Sequence, residues 1–298
     1  MISLHSLVEA ELAEPVDPRV SRMADAIAAE YPAAARAVLF YGSCLRTSDL
    51  DGLMLDFYLI VSDYSSAYGK SWMATANRLI PPNVFPFQHD GLAAKYAVLS
   101  QADLARECGP EARSVSVWAR FAQPARLVWS SDPKAADQVA EAVAKAAPTL
   151  FRLTLPMMDK SEPAPLETWK AGFALTYGAE LRAERTDRSS NIVNADPERY
   201  DRFGRVTLDL LASGDKKPLA APGEMARLWR RMQRKGKLLS VLRLAKASGT
   251  FAGGIDYIAW KINRHAGTEI SIKPWQRRWP LIGAITLLPL LLKRGAIR

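Results

Sequence analysis

Two short apolar runs, Ala37-Val38-Leu39-Phe40-Tyr41 and Leu53-Met54-Leu55-Asp56-Phe57-Tyr58-Leu59-Ile60-Val61, constrain the fold of this chain more than any other feature. Each is too short and too uniformly apolar for a surface helix, and each reads as a buried strand. Gly42-Ser43 closes the first run, and a polar stretch with Arg46, Asp49, Asp51 and Gly52 leads into the second. One charged side chain, Asp56, sits inside the second run. Further candidate strands are Ala94 to Leu99 and Arg126-Leu127-Val128-Trp129.

Around these strands the periodicity is helical. Val20, Met23, Ile27 and Tyr31 recur at helical spacing, and Pro32 stops that helix. Asp132-Pro133 predicts an N-cap with proline in the first turn, opening an alanine-rich run to Ala147. Leu166, Trp169, Phe173 and Tyr177 share one helical face. From Met225 to Ser248 there is no acidic residue, while Arg227, Arg230, Arg231, Arg234, Lys235, Lys237, Arg243 and Lys246 crowd together. The expected architecture is a mixed α/β domain over residues 1–130, a mostly helical domain over 131–220, and a basic C-terminal region over 221–298.

The charge balance points outward. Forty basic side chains against 31 acidic ones give a net charge of +9 and a pI near 9.6, which suits an anionic partner: nucleic acid, nucleotide or acidic lipid. Two cysteines, Cys44 and Cys108, exclude a disulfide framework. Three scattered histidines, His5, His89 and His265, argue against a His/Cys metal site, and a reducing compartment is expected. Residues 1–18 carry Glu9, Glu11, Glu14 and Asp17 and do not read as a signal peptide.

The chemistry centres on Gly42, Ser43 and Asp56. A strand that ends in a Gly-Ser turn and opens a helix can offer backbone N–H groups and a hydroxyl to a triphosphate. The next strand then presents a carboxylate to Mg²⁺ beside that triphosphate, where the metal neutralises charge on the attacked phosphorus and the departing pyrophosphate. The competing reading is a plain turn beside a structural aspartate. Many nucleotidyltransferases carry a second acid two residues after the first, a position held here by Tyr58. Asp63 is the candidate replacement, with Asp49 and Asp51 behind it; a helix N-cap is the alternative role for Asp63.

Together these residues resemble the mitochondrial-type phosphatidate cytidylyltransferases, the mitochondrial translocator assembly and maintenance family, in a bacterial-like form. The resemblance runs from Tyr41-Gly42-Ser43 and Leu55-Asp56-Phe57 through Asp63 and Asn77 to Lys95-Tyr96-Ala97-Val98. It returns at Thr176-Tyr177-Gly178-Ala179-Glu180-Leu181-Arg182, Asn191-Ile192-Val193 and Arg199-Tyr200, covering about residues 38 to 205. Ala97 in place of glycine, the offset Gly178-Ala179 and Glu180 in place of aspartate depart from the family pattern. The resemblance implies a nucleotidyltransferase-fold domain, a winged-helix-like second domain, CTP as substrate, Mg²⁺ as cofactor and phosphatidic acid as acceptor, giving CDP-diacylglycerol.

On that reading Gly42 and Ser43 cradle the CTP phosphates, Asp56 and Asp63 hold the metal, and Lys95 contacts a phosphate. Tyr177, Glu180 and Arg182 close the site from the second domain. The alternatives are a solvated Lys95, a core Tyr177 and a surface pair of Glu180 with Arg182. The acceptor is a phosphomonoester, largely ionised near neutral pH, so no general base is required. The apolar block Trp279 to Leu292, flanked by Arg277, Arg278, Lys293 and Arg294, is too short to cross a bilayer but suits an interface. The expected location is cytoplasmic, peripheral on the inner face of the cell membrane. Two other classes stay open: a nucleotidyltransferase acting on RNA or another phosphorylated lipid, and a non-catalytic membrane-binding homologue.

Overall fold

The computed structural model describes residues 3–46, 50–69, 71–158, 164–179, 188–214, 220–250 and 272–275. Its centre is a five-stranded mixed sheet: β1 (Ala35–Tyr41), β2 (Met54–Val61), β3 (Asn83–His89), β4 (Leu92–Ser100) and β5 (Ala125–Ser130), in the order β3-β4-β2-β1-β5. β2 runs parallel to β4, and the other neighbours are antiparallel. The chain is thus a mixed α/β protein, and all four expected strands are present.

The fifth strand, β3, is the one the sequence reading lacks. It is an edge strand, where Pro86 forfeits a ladder hydrogen bond at little consequence. Asp90 (φ 48) and Gly91 (φ 75) turn it back into β4. Positive φ at two successive residues is what a tight hairpin requires, and Asp-Gly is a preferred pair there.

Both sheet faces are covered. Val38, Phe40, Leu55, Phe57, Leu59, Val61 and Val98 pack on one side with Val20, Met23 and Ile27 of α2 (Pro18–Ala29). This side is completed by α3 (Tyr64–Tyr68) and α4 (Trp72–Leu79). Leu39, Tyr58, Ile60 and Leu99 face the opposite side, where they join α1 (Leu4–Leu12), α5 (Gln101–Cys108) and α6 (Trp118–Phe121). Alternation along each strand therefore feeds two cores, which explains runs that look apolar throughout.

The second core continues without a break into α7 (Pro133–Ala144), α8 (Ala146–Thr154), α9 (Pro165–Tyr177), α10 (Arg188–Asn194), α11 (Pro197–Gly214) and α12 (Pro222–Thr250). The Asp132 carboxylate caps α7 by accepting from the Ala135 N–H at 2.9 Å. The helix expected to run to Ala147 divides at Lys145, because Pro148 cannot donate to the carbonyl four residues back and its ring crowds that turn. Among the described residues after Ser130 every regular element is helical, with no strand to form a wing.

Packing crosses the boundary expected near residue 130. Arg199 of α11 is buried against Glu11 of α1, donating to its two carboxylate oxygens at 2.6 and 2.9 Å and to the Ala122 carbonyl at 3.0 Å. α12 closes on the body through Trp229, whose indole N–H donates to the Leu153 carbonyl at 2.8 Å. Two turns further on, Gly236 lies so close to Ala179 that any Cβ there would overlap the Ala179 carbonyl.

Candidate active site

Strand register assembles the first half of the site. Tyr41 is opposite Asp56 across the β1–β2 pair, and Asp56 is opposite Lys95 across the β2–β4 pair. Residues directly opposite share a face, so the three side chains form one row across the sheet. Lys95 Nζ lies 2.8 Å from Asp56 Oδ1, with both side chains about a quarter exposed (25% and 23%). At the end of β1 the chain turns through Gly42 at φ +97, and a Cβ built there would sit 3.4 Å from Asp56 Oδ2. Glycine thus lets the turn bend where an L side chain is strained and keeps the space beside the carboxylate open.

The second half comes from elements distant in sequence. Ser116, Arg120 of α6, and Arg243 and Lys246 of α12 face the row across a cleft of about 160 Å³, with Pro82, Val84, Phe57, Tyr58 and Ala97 as apolar walls. Arg243 donates from Nε to the Pro81 carbonyl at 2.8 Å and from Nη1 to the Ser116 hydroxyl at 2.5 Å. Lys246 donates to the carbonyls of Ile80 and Pro82, the latter at 2.9 Å. Arg120 donates to the Ser116 carbonyl and hydrogen-bonds Tyr41.

Among the described residues four cations and no acid line this space. Burial pushes the Lys246 ammonium down to about 7, and the Arg243 charge adds to the effect. Burial, with the charges of Asp56 and Tyr58, drives the Tyr41 hydroxyl well above its usual range, so it stays a neutral phenol. The arrangement can hold an anion against a carboxylate that faces a glycine turn.

The residues expected from sequence divide into three groups. Gly42, Asp56 and Lys95 come together as one unit. Ser43 is exposed at the start of a four-residue 3₁₀ helix (Ser43–Arg46), where the turn was expected to open a helix. Asp63 does not join Asp56. Asp56 and Val61 are already about 16 Å apart along β2 at the rise of an extended strand, and Asp63 lies beyond. Its carboxylate caps α3, accepting from the Ser66 hydroxyl at 2.5 Å and from the Ser66 and Ser65 N–H groups at 2.9 and 2.8 Å, and these bonds hold it below the usual carboxylate range. Asp51 pairs with Arg19 at 2.9 Å on the surface.

Tyr177 is half-buried at the end of α9, packed against the helical core, and does not line the cleft. Glu180, Arg182, Asp49 and the Trp279–Leu292 block lie outside the described residues.

Sequence reasoning missed Ser116 and Arg120, and it did not separate Arg243 and Lys246 from the basic crowd of residues 227–246. A signal for the last two exists. Met225, Trp229, Met232, Gly236, Leu239, Arg243 and Lys246 follow helical three-and-four spacing, so the two cations continue the inward stripe. Arg227, Arg230, Arg231, Arg234, Lys235 and Lys237 are exposed instead.

Among the described residues no group of three or more His, Cys, Asp or Glu is placed to hold a metal ion. One carboxylate with an open side fits a Mg²⁺ that arrives coordinated to a triphosphate, the usual way that ion is bound. It does not by itself supply a two-metal site. Comparison of the chain with protein-family models and with curated proteins gives no significant match.

Proposed function

We propose that the chain is a nucleotidyltransferase that joins a nucleoside monophosphate to an anionic phosphomonoester, with CTP and phosphatidic acid as the pair its sequence resemblance names. The observation that carries this reading is the abutment of the Gly42 turn on Asp56, with Lys95 paired to the same carboxylate and further cations opposite. The acceptor oxygen attacks the α-phosphorus, the bond to the bridging oxygen breaks, and pyrophosphate leaves. Asp56 would hold a Mg²⁺ that arrives with the triphosphate, and such an ion would supply neutralisation of charge on the phosphoryl oxygens.

The chain's own residues position and neutralise. Gly42 admits the triphosphate to the edge of Asp56, and Lys95 orients that carboxylate. Arg120, Arg243 and Lys246 suppress the repulsion between two anions brought together, in an apolar-walled cleft where such interactions are strengthened. The active species is expected at a membrane surface. Exposed Trp72 (59%), Leu79 (71%) and Leu238 (59%), together with the exposed cations of α12, support that expectation. Among the described residues no helix is long and apolar enough to cross a membrane.

The test is transfer of label from α-³²P CTP to lipid in phosphatidate vesicles with Mg²⁺, beside an Asp56→Asn control. Lipid-bound label that disappears in the control supports the proposal. A folded protein that gives no product with any nucleoside triphosphate and several phosphomonoesters refutes it. Tyr58 at the position of a second acid favours one other reading, a homologue that binds nucleotide without turnover, and retained CTP binding in that experiment identifies it.

A further inference from the structure

α12 delivers two half-buried cations to a cleft whose other wall carries Lys95, the partner of Asp56, and no described acid lines that cleft. Like charges gathered in a partly dry space repel one another, and such an arrangement is stable chiefly when an anion completes it. The carbonyls of Ile80, Pro81 and Pro82 hold Arg243 and Lys246 from one side, which fixes where their charge is presented. Arg120 reaches the same place from α6 and is tied to the Ser116 carbonyl, while the Ser116 hydroxyl binds Arg243.

Size narrows the ligand. At about 160 Å³ the cleft is smaller than the roughly 300–1,000 Å³ of pockets that enclose a whole small molecule, and it suits one compact anionic group. A carboxylate carries one charge; a phosphate carries more and presents more acceptor oxygens to arginine forks and lysine.

We propose that Arg120, Ser116, Arg243 and Lys246 form a phosphate-binding subsite facing the Asp56–Lys95 pair, so that α12 is a wall of the site. The subsite stands on the cleft geometry alone; only the question of whose phosphate it takes rests on the nucleotidyl-transfer reading. Two sources share this chemistry: the triphosphate of a nucleotide and the phosphomonoester head of an acceptor.

Calorimetric titration with inorganic tripolyphosphate and, separately, with dihexanoyl phosphatidate tests it on the full chain without turnover. The variants are Lys246→Gln, Arg243→Gln, Lys246→Arg and, as a surface control on the same helix, Arg231→Gln. Wild-type protein is expected to bind at least one probe. Lys246→Gln and Arg243→Gln weaken that binding about tenfold or more, as expected for a charged hydrogen-bond partner removed. Lys246→Arg stays within roughly threefold, because the charge remains. A loss confined to tripolyphosphate assigns the subsite to the nucleotide, and one confined to phosphatidate assigns it to the acceptor.

Circular dichroism and the thermal midpoint establish that each variant is folded, and Lys246→Gln stands in should Arg243→Gln fail that criterion. No binding of either probe by wild-type protein overturns the proposal. So does a loss in Arg231→Gln equal to that in Lys246→Gln, which would mark diffuse surface attraction. Anion binding that depends on Lys246 in a protein with no transferase activity would refute the nucleotidyl-transfer reading and leave the subsite standing.

Discussion

Lys246 should make the empty protein less stable than its apolar replacement, in a pH-dependent way. Lys246→Met keeps most of the stem and deletes the ammonium. The groups that share its cleft are Arg243 of α12, Arg120 of α6, Lys95 of β4, and Tyr41 and Tyr58 of the sheet, with Asp56 paired to Lys95. Lysine loses protons at an ordinary 10.5 but here at about 7. A folded value below the unfolded one means that the native state binds the proton less well. Wild-type stability therefore rises with pH from 7 to 10.5, and the penalty is complete below 7.

At about 1.4 kcal/mol per pH unit the ceiling of that penalty is roughly 5 kcal/mol. Methionine also abandons the bonds to the Ile80 and Pro82 carbonyls, worth about 1 kcal/mol each. The variant should then be more stable than wild type by about 2–3 kcal/mol at pH 6.5, and the two curves should cross near pH ~9. Urea unfolding of both proteins at four pH values between 6.5 and 9.5 measures this. A variant no more stable at pH 6.5, with a difference constant across the range, refutes the reasoning that burial and Arg243 make this charge unfavourable.

Three other substitutions probe the frame. Gly42→Ala forces an L side chain into φ +97 and sets a methyl at van der Waals distance from Asp56; stability should fall by about 1–2 kcal/mol, and an unchanged urea midpoint would contradict the strain. Arg199→Met leaves Glu11 buried without its cation and should cost about 3–5 kcal/mol, while the double variant Glu11→Leu/Arg199→Met should recover most of that. Equal losses in the single and double variants would show that the pair is not the cause. Asp63→Ala removes the cap of α3 and should cost about 1 kcal/mol with turnover intact; a tenfold fall in turnover would return Asp63 to the metal site.

The sheet half of the site was legible in the sequence because strands have a fixed period and a fixed rise. A Gly-Ser turn after one apolar run and an aspartate two residues into the next strand are enough to bring Gly42 and Asp56 together, and pairing adds Lys95. The same rise, applied to Asp63, places it at the far end of β2. β3 was obscured by Pro86 and by its mixed polar character, although Asp90-Gly91 carried the hairpin signal. The helical half was not legible. Composition cannot distinguish Arg243 and Lys246 from six neighbouring cations that face solvent. What separates them is phase on α12, and that phase has meaning only once Trp229 and Gly236 are known to face inward.

The two walls of the cleft also differ in age within a single round of synthesis. Lys95 and Lys246 are about 150 residues apart, so at roughly 5–20 residues per second the second wall follows the first by about 8–30 s. Through that interval Asp56 has Lys95 as its cation, Arg120 is already in place, and the two cations of α12 are not yet made. A nascent chain can thus complete the sheet before the helix that supplies half of the site's cations is made. The site is completed only when α12 docks.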